Sequence, residues 1–361
     1  MTNSAYIHIP FCKSKCKYCS FVSFTDTEYI EKYVNALLKE IDYNYKTELL
    51  KTLYFGGGTP SLLPIQFINK IIERFTIDNK TEITYEINPD DANFNYLKEL
   101  KNLGINRLSF GVQTFDDKIL NLIGRRHNSE QVFQAIENAK EAGFEHISVD
   151  LIYGLPEQTL ESLEKDLKII NNLDIPHVST YGLKIEKPSF YYYHPVSVPD
   201  SDMQADMYIL INEYLNKTVL YRYEISNFSK KGYESKHNLN YWDNNEYYGL
   251  GVSAHGYENG IRYSNTENMA EYISNPCKHA QEHMVTDKER LEEEIFLGFR
   301  KESGININNI NTKFGIDFNS KYKNIIDRYT PKYIVKTDTG YKLSTDGILL
   351  SNNILAEFID I

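Results

Sequence analysis

The chain has no apolar run near the ~20 residues that a membrane-spanning helix needs. Its start has no basic segment followed by a long apolar stretch, so a secretory leader is not expected. Basic charge is short as well: 39 Lys and Arg against 50 Asp and Glu leave a net charge of −11. That balance excludes a broad nucleic-acid footprint and simple electrostatic docking on anionic lipid. Only four of 361 residues are cysteine, and three of those fall together. A disulfide framework would be spread along the chain, so these thiols are expected reduced, in the cytoplasm, and metal-binding. Cys277 stands alone in "SNPCKHA" and is read as a spare loop thiol.

What is present is alternation. Short β-like segments at 5–9, 52–55, 82–87, 107–112, 146–154 and 177–183 are separated by segments of helical spacing at 27–41, 64–75, 94–104, 129–143 and 159–173. Ser129 is the expected cap of the fourth helix. Such repeats imply parallel strands joined by right-handed crossovers. Six units are too few for a closed eight-stranded barrel, so the expected fold is α/β, an open or partial (β/α)6 barrel, with chemistry at the carboxyl ends of its strands. Residues 1–184 form this core. Residues 185–286 read as an extension of loops, short strands and one helix at 202–217, with the aromatic run Phe190 to Tyr193 as a packed loop or, alternatively, a flank for a large flat ligand. Residues 287–361 read as a small winged-helix-like domain, ending in a hairpin over 332–352.

Chemistry concentrates after the first strand, in "YIHIPFCKSKCKYCSF". Cys12, Cys16 and Cys19 supply three thiolates, and no second cysteine knuckle follows anywhere. Zinc usually takes four ligands in a closed structural site, and only His8 is at hand as a fourth. The alternative is a [4Fe-4S] cube held at three corners, since thiolates suit iron–sulfur iron. Its fourth iron would stay open for substrate or cofactor. After the second strand comes "YFGGGTPS", which matches neither the phosphate-binding P-loop nor the dinucleotide fingerprint. Bare backbone at a strand end lets a polar ligand approach the main chain.

Together with "EINPDD", "RLSFGVQTF", "GRRH", "VDLIYGLP", "HNLNYW" and "GLGVSAHGY", these stretches resemble the radical S-adenosylmethionine (SAM) superfamily. The resemblance is to the branch that includes oxygen-independent coproporphyrinogen III oxidases and related haem chaperones. It covers nearly the whole chain. It implies Cys12, Cys16 and Cys19 as cluster ligands. It implies Tyr6, Gly57, Gly58, Thr59, Glu86, Gln113, Arg125 and Asp150 as SAM contacts, with SAM chelating the open iron.

Two stretches separate oxidases from chaperones. The oxidase pattern continues past the third cysteine as Cys-x-Cys, whereas this chain has Phe21. "HNLNYW", His237 to Trp242, matches the HNxxYW motif of the chaperones. The resemblance thus implies a haem carrier with His237 as haem ligand, Tyr241 and Trp242 as contacts, and acceptor proteins of the respiratory chain as partners. His255 is a second, structural candidate nearby. The alternative is oxidative decarboxylation of coproporphyrinogen III to protoporphyrinogen IX. A homodimer and peripheral membrane association are left open.

Overall fold

A computed structural model describes residues 2–359. Six parallel strands form its frame: β1 (Ser4–Ile9), β2 (Thr52–Gly57), β3 (Glu82–Ile87), β4 (Arg107–Gln113), β5 (His146–Tyr153) and β6 (His177–Gly182). Between them run α1 (Ile30–Asn44), α2 (Ile65–Ile72), α3 (Phe94–Asn102), α4 (Asp117–Leu122), α5 (Ser129–Glu141) and α6 (Leu160–Asn172). The expected order holds, and β1 to β6 neighbour one another in chain order. The cap of α5 is Asn128, not Ser129. Its side chain takes the Gln131 N–H, and Gln131 answers on the Asn128 N–H, completing a capping box.

The strands alternate with period two, and the two faces differ in kind. Ile7, Phe55, Tyr85, Phe110, Val149 and Val178 lie on one face and join the main hydrophobic core with α1, α3, α5 and α6. Tyr6, Tyr54, Thr84, Arg107, Ser148 and His177 occupy register positions of one parity, offset by one from the apolar set, so they lie on the opposite face. That face is buried and polar, and many of its groups are paired, although Thr84 Oγ1 and Arg107 Nη2 have no hydrogen-bond partner. His177 lies between Ser148 Oγ at 2.7 Å and Tyr223 Oη at 2.8 Å. A buried polar face is costly unless satisfied, and here it forms the floor of the site.

The extension completes the sheet at both edges. After α7 (Phe190–Tyr193) and α8 (Ser201–Leu215), β7 (Tyr221–Arg222) and β8 (Asn227–Ser229) add antiparallel beside β6. A helix then interrupts the expected run of strands: α9 (Lys236–Trp242), capped by Ser235. β9 (Tyr248–Leu250) returns parallel to β1 at the far edge. The result is an open nine-stranded sheet, ordered β7-β8-β6-β5-β4-β3-β2-β1-β9.

β10 (His255–Glu258), β11 (Ile261–Ser264) and β12 (Gln281–Met284) form a separate antiparallel sheet, with α10 (Met269–Ser274) between the last two. α11 (Asp287–Gly298) opens the C-terminal section, which has its own core around Ile295, Phe299, Phe318 and Phe358. Its strands β13 (Ile305–Asn306), β14 (Ile334–Lys336) and β15 (Gly340–Leu343) make a third small sheet. The hairpin is shorter than the sequence suggests, because two short helices take up Thr345–Leu349 and Ser351–Ala356. Among the described residues no helix is long and apolar enough to cross a membrane.

Candidate functional site

The cysteine loop leaves β1 and is tied down at three points. Cys12 N–H donates to Phe24 O at 3.0 Å, Lys17 N–H to Ile123 O at 3.0 Å, and Cys19 N–H to Cys16 O at 3.2 Å. Thr59 Oγ1 lies 3.5 Å from Cys12 Sγ, and Arg125 Nη1 lies 3.5 Å from Cys16 Sγ. Burial raises the Cys19 thiol above its ordinary range, and the neighbouring Cys16 and Cys12 add to this. Among the described residues no three His, Cys, Asp or Glu side chains converge tightly enough for a single metal ion. His8, the candidate fourth zinc ligand, faces Tyr6 Oη at 3.0 Å and Val22 O at 3.2 Å. His8 is thus engaged by Tyr6 and Val22.

The glycines lie where side chains cannot. A Cβ on Gly56 would meet Tyr54, Glu86 Oε1 and Tyr6 at 2.9–3.0 Å. At Gly57, with φ +113°, it would meet the His8 ring at 2.7 Å, and at Gly58 the Phe11 carbonyl oxygen at 2.7 Å. Gly57 N–H donates to Glu86 Oε2 at 3.2 Å, and Tyr54 Oη to Glu86 Oε1 at 2.8 Å. Burial pushes the Glu86 carboxyl up to about 7. The Tyr54 bond opposes that rise and the charge of Asp150 adds to it. Asp150, on β5, is held by Ser109 Oγ at 3.1 Å, and burial raises it too.

Arg125 completes the polar shell. Its Nη2 donates to Asn88 Oδ1 at 2.6 Å and to Gly111 O at 2.5 Å, while its buried Nε has no partner. Gln113 ends β4 at φ +75°, beside a register shift between Gly111 and Gln113. Left-handed backbone at a non-glycine residue is strained and persists where surroundings enforce it. These donors and acids fit a cation with an amino-acid head: two buried carboxylates, an unpaired guanidinium N–H and bare glycine backbone sit beside the thiols.

α9 closes the polar face over β2. Glu82 caps its start, taking the N–H groups of Lys236 and His237 at 3.1 and 3.0 Å. The His237 ring is 1% exposed and stacks on Tyr54 at 4.8 Å. Nδ1 lies 2.8 Å from Thr52 Oγ1 and Nε2 lies 2.8 Å from Tyr241 Oη. Burial lowers the imidazole to about 3, so it is neutral. Both ring nitrogens are engaged, and neither faces a free volume.

Residues 6–170 match the radical SAM superfamily model, and residues 285–350 match the HemN C-terminal domain. The haem chaperone HemW of Lactococcus lactis subsp. lactis (strain IL1403) is 38% identical, over 99% of this chain and 97% of its own. HemW of Bacillus subtilis (strain 168) is 38% identical over 99% of both. The chain belongs to the HemW family. Among solved structures, coproporphyrinogen III oxidase (HemN) from Escherichia coli matches the fold with a TM-score of 0.87 at 21% identity. The match covers 99% of this chain and 90% of that one.

In this HemW-family chain, Phe21 is 66% exposed beside the cysteine loop. The run Phe190 to Tyr193 is not a packed loop. It is one helical turn in which Phe190, Tyr192 and Tyr193 are exposed. Only Tyr191 is buried, donating to Leu122 O at 2.8 Å. Trp242 carries the Arg300 guanidinium over its ring at 5.8 Å, and His255 is exposed at the start of β10. Sequence reasoning missed Tyr54 as a site residue, whereas Asn88 follows β3 at a strand end, where chemistry was expected. The signal for Tyr54 was the period-two alternation, which puts it on the same face as Tyr6 and Glu86.

Proposed function

We propose that this chain is a haem carrier that holds a [4Fe-4S] cluster on Cys12, Cys16 and Cys19, binds SAM at the adjoining strand ends, and delivers haem to acceptor proteins of the respiratory chain from the cytoplasm. The observation that carries the reading is continuity. Tyr54 hydrogen-bonds Glu86 on the SAM side and stacks on His237 of the HNxxYW helix on the other. One aromatic ring thus joins the two sites.

When bound, cluster and SAM would supply one-electron chemistry. The chain's residues do the rest. Glu86 and Asp150 offer carboxylates to a sulfonium nucleotide. Gly57, Gly58 and Thr59 let its amino-acid head reach the backbone, and Tyr6 forms a wall of the same recess. Arg125 holds Asn88 and the Cys16 thiol in place, while Gln113 presents an amide from a strained strand end. The relatives from Lactococcus lactis and Bacillus subtilis, which match along nearly their whole length, are haem chaperones, and Phe21 stands where the oxidase pattern has a cysteine; both favour carriage over decarboxylation.

The test is a haem titration of anaerobically reconstituted protein, followed by mixing with a haem-free acceptor. The reading expects stoichiometric haem binding and transfer of the Soret absorbance to the acceptor. Absence of either would refute it.

A further inference from the structure

We infer that Asn88 is a positioning residue for the cluster. It aims the Thr59 hydroxyl at the Cys12 sulfur and the Arg125 guanidinium at the Cys16 sulfur, and so raises the potential at which the cluster accepts an electron. This rests on the cluster reading above.

The geometry is a relay with Asn88 at its centre. Arg125 Nη2 donates to Asn88 Oδ1 at 2.6 Å, and Nη1 of the same guanidinium lies 3.5 Å from Cys16 Sγ. On the other side, Asn88 Nδ2 donates to Thr59 Oγ1 at 3.2 Å, and that hydroxyl lies 3.5 Å from Cys12 Sγ. A guanidinium can only donate, so the amide oxygen must face Arg125 and the amide nitrogen must face Thr59. The Thr59 hydroxyl therefore accepts from Asn88. Its single proton is left for the Cys12 sulfur.

The segment that carries Asn88 grips the same loops a second time. Asn88 leads into a 3₁₀ turn over Pro89–Asp91. The Asp91 side chain is 6% exposed and accepts Lys13 Nζ at 2.5 Å and Ser61 Oγ at 2.9 Å. Arg126 reaches Asp90 at 2.7 Å. Lys13 follows Cys12, Ser61 stands two past Thr59, and Arg126 follows Arg125. Each loop that meets at the thiols is thus braced on the end of β3, which keeps both sulfur-facing donors in register.

Hydrogen bonds to cluster sulfurs set the reduction potential, and they favour the reduced, more negative state. Tyr18 also faces Cys16, so Cys12 gives the cleaner readout. Aspartate is nearly the same shape as asparagine but would accept from both neighbours. Thr59 would then turn its proton toward that carboxylate and away from sulfur.

The experiment is a dithionite titration, with mediators and without SAM, of the full-length reconstituted protein. It is read by electron paramagnetic resonance beside iron and sulfide analysis. Asn88→Asp should keep its iron and lower the midpoint potential by about 59 mV, tenfold in a one-electron equilibrium, the scale of one hydrogen bond to a charged acceptor. Thr59→Val should lower it likewise, and Thr59→Ser should hold the wild-type value. Added to Thr59→Val, Asn88→Asp should shift the potential less than it does alone, because its bare charge acts in both backgrounds and the relay in only one. The uncharged Asn88→Leu is the second variant and should follow the same pattern. Equal shifts in the two backgrounds, or an unmoved potential at full iron loading, would overturn the inference and leave the carrier reading standing. Wild type that assembles no cluster would overturn both.

Discussion

At Gly58 an added Cβ would lie 2.7 Å from the Phe11 carbonyl oxygen and 3.1 Å from Cys12 Sγ. Neither atom can yield without moving the cysteine loop. Gly58→Ala should therefore lower iron and sulfide content after reconstitution and cost about 1–3 kcal/mol of stability, as overpacking does. Iron analysis beside a thermal melt checks this, and full iron loading would contradict it. At this scale the sequence was informative wherever the chemistry was local. The three cysteines and the glycine run lie within short segments whose spacing carries their meaning. His237 was readable only as a motif member. Its seal comes from Thr52, 185 positions away in the chain, and no local pattern encodes such a contact.

Buried acids help hold the elements in place alongside apolar packing. Glu40 of α1 takes the Gly251 N–H at 2.8 Å, the Asn265 amide at 2.6 Å and the Tyr272 hydroxyl at 2.5 Å. It thereby pins α1 to the chain just past β9. Burial raises its carboxyl from 4.5 to about 7, against the pull of those three donors. Between these values the folded state holds more protons than the unfolded chain. Stability contributed by Glu40 is thus present below 4.5 and is lost as pH rises toward 7. Glu86 and Glu224 are pushed to about 7 as well, also by burial. Glu40→Gln should flatten the fall in unfolding free energy across that window by about 2–3 kcal/mol without abolishing it. Denaturant unfolding at several pH values gives the slopes, and an unchanged slope would refute the assignment.

The strand and helix order of the molecule was legible because parallel β/α units write their periodicity plainly. Each expected core element appears within a few residues of its place. The less legible parts depend on pairing between distant segments. β8 and β9 are three residues each, too short for a periodic signal, yet they extend both edges of the sheet. α9 has seven residues and only His237 and Asn240 buried, so its helical spacing is faint. These late elements close the polar face and carry the HNxxYW helix. The core would suit many chemistries, and the additions select among them.

The central claim is that this chain carries haem and does not make its precursor. The direct measurement is product analysis after anaerobic incubation of the cluster-loaded protein with SAM, a reductant and coproporphyrinogen III. The account predicts that coproporphyrinogen persists while the same preparation binds haem stoichiometrically. Accumulation of protoporphyrinogen IX would contradict it.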